Sequence, residues 1–294
     1  MDVLCNPFSI ARKIKRPLIL DGATGSLLQM QGVVPDPCLW MSYANLTDPQ
    51  VVKEMHQSYV KAGADIITTN TFRTNPYALN RSTIREADIV KKSVEIALEA
   101  VEGTPILVAG SNSPAEDCYQ VDRTISREIL EENHFSHINN LYKCGAHFVL
   151  NETQSHLDEI EIICTICKDE DVPFVVSLYV NEQMRLNSGE EINEAVELIS
   201  EFSPLAIGFN CIKPETFLRI LSDINPDFNW GFYLNCCSYP GTDKVIKCSV
   251  SPDEYISYVK EALSYSPSFI GGCCGTGPEH INKIKELFDE RFSN

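Results

Sequence analysis

Eight short apolar runs, each followed by a longer amphipathic stretch, set the strongest limit on what this chain can fold into. The runs are 17–22 (PLILDG), 64–71 (ADIITTNT), 105–111 (PILVAGS), 146–152 (AHFVLNE), 173–179 (PFVVSLY), 204–210 (PLAIGFN), 231–235 (GFYLN) and 268–272 (SFIGG). They are nearly continuous in apolar character and rich in Val, Ile and Phe, as strands of a parallel sheet buried on both faces must be. Residues 49–62, 83–102, 126–143, 156–170, 191–201, 214–222, 252–264 and 278–292 carry apolar side chains at three- and four-residue spacing, which predicts helices. Pro49, Pro214, Pro252 and Pro278 stand where a first helical residue belongs. Ser251 to Glu254 reads as a capping box, and Gly63 and Gly145 read as helix caps leading into strands.

Eight strand–helix units in 294 residues, with no low-complexity linker, predict an α/β fold: a single-domain (β/α)8 TIM barrel spanning 1–294. Residues 1–16 form an N-terminal extension leading into the first strand. A doubly wound open sheet would want a glycine-rich phosphate loop after that strand. Asp21-Gly-Ala-Thr-Gly25 lacks that spacing, and no helix is predicted to follow it at once.

Composition narrows the function. A net charge of −17 argues against nucleic acid and anionic membrane surfaces as partners, and mildly favours a cationic small molecule. No apolar run approaches the ~20 residues of a membrane helix, and the basic residues at 12–16 have no apolar segment before them, so a cytoplasmic chain is expected. Twelve cysteines in a reducing compartment should be free thiols or metal ligands.

In a barrel of this kind chemistry sits at the C-terminal strand ends. The polar residues there are Asp21; Thr69, Asn70 and Thr71; Ser111 and Asn112; Asn151, Glu152 and Thr153; Asn210 and Cys211; Asn235, Cys236 and Cys237; and Cys273 and Cys274. The run Gly271-Gly-Cys-Cys-Gly-Thr276 brings two adjacent thiols to the eighth strand end. Adjacent cysteines make a strained disulfide, but with a third thiol they suit zinc with one open coordination position. Cys211, Cys236 and Cys237 all compete to be that third thiol. A zinc ion on three thiolates is suited to binding a substrate thiol and lowering its pKa from about 8.5. Asp21 and Glu152 are the acids nearest to hold an ammonium group, so an amino-thiol substrate satisfies all the parts. Cys164 and Cys167 read as helix packing, and none of the six histidines shows ligand spacing.

These residues also carry a family resemblance. Asp21-Gly-Ala-Thr-Gly25, Gly63-Ala-Asp-Ile-Ile-Thr-Thr-Asn-Thr-Phe72, Glu152-Thr153, Gly208-Phe-Asn-Cys211 and Gly271 to Thr276 fall in the order of the homocysteine S-methyltransferase family, and the sequence resembles it over nearly its whole length. The resemblance implies a barrel with Zn2+ held by Cys211, Cys273 and Cys274, and an amino group met by Asp21 and Glu152. Gly22, Asn70, Asn210 and Asn235 join the expected substrate-binding set. The implied reaction moves a methyl group from a sulfonium or ammonium donor to homocysteine, giving methionine, with selenocysteine or selenohomocysteine as alternative acceptors in some members. The seventh strand end departs from the family's usual Pro-Asn-Ser-Gly: here it reads Leu234-Asn235-Cys236-Cys237.

The expected enzyme is therefore a zinc-dependent methyltransferase of amino-acid biosynthesis. Betaine-using relatives tend to be longer, which tilts the donor toward S-methylmethionine or S-adenosylmethionine and the assembly toward a monomer or small homo-oligomer. The extra pair Cys236-Cys237 supports an alternative: a redox-sensing, zinc-binding barrel with five thiols at one mouth and no methyl transfer.

Overall fold

All eight apolar runs form strands in the computed structural model, which describes residues 6–80, 82–223, 227–237, 246 and 248–292. The strands are β1 (Leu18–Ile19), β2 (Ile66–Thr68), β3 (Leu107–Asn112), β4 (Phe148–Gln154), β5 (Phe174–Leu178), β6 (Ala206–Asn210), β7 (Trp230–Leu234) and β8 (Phe269–Gly272). They pair in parallel in the order β1-β8-β7-β6-β5-β4-β3-β2. The two ends meet through a parallel bridge between Leu20 and Ile66, where Asp21 N–H donates to the Ile66 carbonyl at 2.9 Å. The sheet is thus closed into a barrel.

The helices are α1 (Pro7–Ile14), α2 (Thr24–Met30), α3 (Ala44–Thr47), α4 (Pro49–Ala62), α5 (Pro76–Leu79), α6 (Glu86–Ala100), α7 (Arg127–Lys143), α8 (Leu157–Asp169), α9 (Ile192–Glu201), α10 (Pro214–Asp223), α11 (Pro252–Ala262) and α12 (Pro278–Phe292). The four prolines do open α4, α10, α11 and α12. Ser251 accepts from Glu254 N–H at 3.3 Å, half of the expected capping box. Gly63 and Gly145 have φ of +99° and +109°, the left-handed backbone that ends α4 and α7. Among the described residues, no helix is long and apolar enough to cross a membrane.

Two segments differ from expectation. A helix does follow Asp21-Gly-Ala-Thr-Gly25 at once: α2 starts at Thr24. No side chain caps it, so its N-terminus carries no sequence signal. The N-terminal extension is itself helical from Pro7. Its Phe8 enters the bottom of the barrel, edge-on to Phe148 and Phe269 at 5.7 and 5.3 Å. Residues 1–5 of the extension lie outside the described residues.

Alternation along the strands fills the interior in layers. Leu20, Ile66, Ala109, Leu150, Val175 and Phe269 pack inside, while Ile19, Ile67, Val108, Val149, Val176 and Ile270 face the helical ring. Gly231 makes room for the interior ring: a Cβ there would lie 2.3 Å from the Phe269 ring and 2.4 Å from its carbonyl oxygen. Continuing upward, the same alternation brings Thr68, Ser111, Glu152, Ser177, Tyr233 and Cys273 to the C-terminal mouth.

Candidate active site

Three cysteines converge at that mouth. Cys211 follows β6, and Cys273 and Cys274 follow β8. The Cys211 and Cys273 sulfurs are 2.7 Å apart, and the three sulfurs all lie within 4.8 Å of one another. Cys211 and Cys273 are buried, and Cys274 is partly exposed. The three titrate as one group: hydrogen bonds from Cys273 and Cys274 hold the Cys211 thiol well below the ordinary range, and theirs rise in return. Three thiols gathered this closely are a donor set that a soft divalent ion takes up.

Two of the residues framing the site have strained backbones. Cys211 has φ +56° and Thr153 has φ +60°, left-handed values that cost a non-glycine residue about 1–3 kcal/mol. A paired hydrogen bond over-determines the second. Asn210 accepts from Thr153 N–H at 2.9 Å and donates to Thr153 Oγ1 at 2.8 Å, clamping the end of β4 to the end of β6. Asn235 donates to the Cys211 carbonyl at 2.9 Å, while its own Oδ1 is buried without a partner.

Asp21 and Glu152 face the same space. Asp21 accepts from Thr68 N–H at 2.8 Å and from Thr68 Oγ1 at 3.1 Å. Burial pushes its carboxyl up, the Thr68 donors pull it down, and the charge of Glu152 pushes it up again. Glu152 accepts from the Ser111 hydroxyl. Its pKa is raised to about 7, first by burial and then by the charge of Cys211, against the hydrogen bond from Ser111. Two buried acids that repel one another form a site for a cation.

Other expected site residues also make contacts within the fold. Asn70 donates to the Met41 carbonyl at 2.8 Å and to Asn45 at 3.3 Å, so its amide ties loops together. Gly22 is needed for close packing, since a Cβ there would lie 2.8 Å from the Tyr59 ring and 2.9 Å from Thr276 Oγ1. The adjacent amide of Ala23 is spent on Thr276 Oγ1 at 3.1 Å. Cys164 and Cys167 are buried in the packed face of α8, as the spacing suggested.

Cys236 does not face the mouth. At the end of β7, Tyr233 faces inward and Asn235 lines the cleft, while Leu234 and Cys236 turn to the outer core. The five-thiol mouth is therefore corrected: among the described residues, Cys237 joins Cys211 along the cleft, but Cys236 stands with Cys248 and His280. His280, which has no ligand spacing in the sequence, is packed and buried beside Cys236 and Cys248.

The sequence reading missed the aromatic rim. Tyr119, on the loop between β3 and α7, and Tyr179, after β5, meet edge-to-face at 5.1 Å and line the cleft over Cys211. A loop side chain has no periodicity to betray it.

A family model for homocysteine S-methyltransferase matches residues 18–288, from the first strand to the last helix. The chain belongs to the homocysteine S-methyltransferase family. Among curated relatives, homocysteine S-methyltransferase 2 of Zea mays is 26% identical, covering 93% of this chain and 90% of the relative. Homocysteine S-methyltransferase of Escherichia coli (strain K12) is 27% identical, covering 91% and 94%. Selenocysteine Se-methyltransferase of Brassica oleracea var. italica is 24% identical, covering 94% and 90%. The metallated form of the homocysteine methyltransferase MmuM from Escherichia coli shares the fold, with a TM-score of 0.81 at 24% identity over 96% of this chain and 99% of that one. This homocysteine S-methyltransferase family member is thus an enzyme on a (β/α)8 barrel.

Proposed function

We propose that the protein moves a methyl group from a sulfonium donor to the thiolate of homocysteine, giving methionine, with Zn2+ as its metal. The observation that carries the reading is the convergence of three thiols and two acids on one barrel mouth. Cys211, Cys273 and Cys274 are a soft donor set of three, and they would hold the ion. When bound, zinc supplies a Lewis-acid centre at which a substrate thiol ionises near neutral pH.

Asp21 and Glu152 hold the substrate ammonium. Thr68 and Ser111 fix the two carboxylates through their hydroxyls, so their direction is set before substrate arrives. The ammonium also offsets the Glu152 charge that adds to burial in raising Asp21. Asn210 and Asn235 position the ends of β4 and β6 and do not need to touch substrate.

Tyr119 and Tyr179 offer ring faces and edges beside the thiols, a setting for a cationic donor. The substrate thiolate attacks the methyl carbon in line. The new sulfur–carbon bond forms as the donor's sulfonium–methyl bond breaks, and the donor leaves as a neutral thioether. Negative charge on the nucleophile and positive charge on the donor cancel, so no general acid or base acts in the transfer. Selenocysteine or selenohomocysteine could replace homocysteine, because the recognised groups are the ammonium and the chalcogen.

A donor panel tests this reading. Metal-replete enzyme with homocysteine and S-methylmethionine or S-adenosylmethionine is expected to form methionine, and betaine to give none. Methionine from betaine alone, or from no donor, contradicts it.

A further inference from the structure

Cys236, Cys248 and His280 form a second cluster that the reaction does not use. Their ligand atoms, Sγ, Sγ and one imidazole nitrogen, lie within 4.8 Å of one another. They come from three parts of the chain: the end of β7, the segment before α11, and the first turn of α12. We propose that these three residues form a second metal site, a two-thiolate, one-imidazole centre for a borderline-soft divalent cation such as zinc, separate from the thiols at the barrel mouth.

The spacing suits a tetrahedral ion. Cys248 Sγ lies 3.7 Å from His280 Nε2. Zinc bonds of about 2.3 Å to sulfur and 2.05 Å to nitrogen, at a tetrahedral angle, put those two atoms about 3.6 Å apart. The backbone holds the ligands there. Cys237 and Cys248 make an antiparallel bridge, and the Cys236 carbonyl accepts from Ser249 N–H at 2.6 Å and Val250 N–H at 3.2 Å. His280 is buried, with its ring edge-on to Tyr255 at 5.8 Å.

The protons are arranged for exchange. Nδ1 of His280 accepts from Gly277 N–H at 3.2 Å, so Nε2 carries the ring proton and donates to the Val250 carbonyl at 3.0 Å. Cys248 donates its thiol proton to the same carbonyl at 3.0 Å. Both donor hydrogens point at this carbonyl, so an ion held by Sγ and Nε2 displaces the two bonds to it. On binding, Cys236 and Cys248 each release a proton. For Nε2 to ligate, the ring proton moves to Nδ1, which gives up the bond it accepts from Gly277 N–H and faces the Glu279 carboxylate at 3.6 Å. A carboxylate behind a ligating imidazole is the usual arrangement. Cys248 is exposed, so an ion can reach the cluster from solvent.

The site is built onto the catalytic loop. Cys236 N–H donates to the Cys274 carbonyl at 2.8 Å. A Cβ on Gly275 would lie 3.2–3.4 Å from the backbones of Cys236, Cys237 and Cys248. An ion here ties Cys236 and Cys248 to the first turn of α12, beside the turn that presents Cys273 and Cys274.

Cobalt stoichiometry on the full chain tests the proposal. Chelator-stripped wild type, a Cys211→Ser/Cys273→Ser/Cys274→Ser variant and a His280→Ala variant are each loaded with Co2+ alone, dialysed and assayed for bound cobalt and near-ultraviolet absorption. The expected result is two cobalt ions per wild-type chain, one in the triple variant with a thiolate-to-cobalt charge-transfer band, and one in His280→Ala. Should the triple variant fail to fold, the wild-type and His280→Ala counts decide the matter. A folded triple variant without cobalt, or a His280→Ala chain that keeps two ions, overturns the site. So does a Cys236–Cys248 disulfide found by mass spectrometry in protein purified under reducing conditions. Loss of the mouth site alone would leave the triple variant's cobalt untouched, so the two metal assignments fail separately.

Discussion

Glu152→Gln isolates the charge that the proposed mechanism needs. The amide can still accept from the Ser111 hydroxyl, which bonds the carboxylate in the native chain, so the barrel mouth should keep its shape. What disappears is a charge-assisted bond to the substrate ammonium, worth about 1.5–3 kcal/mol. At 1.4 kcal/mol per decade this is a fall of about 10- to 150-fold in kcat/KM for homocysteine. The effect should depend on pH in a definite direction. Glu152 has a pKa raised to about 7, and only its ionised form attracts the ammonium. As pH falls through about 7, native kcat/KM should decline, approaching tenfold per pH unit, because free enzyme titrates in that parameter. The glutamine variant has no such group and should lose that part of the slope. Methionine formation at saturating sulfonium donor, measured between about pH 5.5 and 7.5, provides the assay. A variant within twofold of wild type at every pH, or one with the same acid limb, refutes the role of Glu152.

Asn210→Ala should lower kcat/KM without lowering metal content, because it strands the buried Thr153 N–H at a penalty of about 1–3 kcal/mol and lets the strained end of β4 relax; metal analysis beside steady-state kinetics checks this. Gly231→Ala should destabilise the barrel by about 1–3 kcal/mol or more, since its Cβ would sit 2.4 Å from the Phe269 carbonyl, and thermal unfolding reads the loss. Glu159 gives an acid-stability prediction. Burial alone would raise its carboxyl, but hydrogen bonds from His134 and Ala115 N–H and the charge of Arg123 bring it down to about 2. Against an unfolded value of about 4.3, this contributes about 3 kcal/mol that is present above pH 4.3 and lost as pH falls toward 2. Denaturant midpoints of wild type and Glu159→Gln should therefore converge in acid, and a constant gap from neutral pH to about 2 would count against it.

The barrel was legible because each strand is buried on both faces and so must be apolar almost throughout, while its helices show a single stripe. The site thiols were legible for a related reason: a polar residue just past such a run has to sit at a barrel mouth. Residues further from a strand escaped. α2 has no capping side chain, and Tyr119 sits on a loop whose conformation is set by tertiary contacts. The orientation of Cys236 was recoverable in principle, since the alternation of Tyr233, Leu234, Asn235 and Cys236 continues past β7. Its partners were not, because Cys248 and His280 are joined to it by folding and by no fixed spacing.

The central claim is that the substrate sulfur is activated at Cys211, Cys273 and Cys274. X-ray absorption at the edge of the bound metal, on the His280→Ala chain so that only the mouth site contributes, tests it most directly. The sulfur coordination number should rise from three to four when homocysteine is added. An unchanged count at saturating homocysteine would contradict the account.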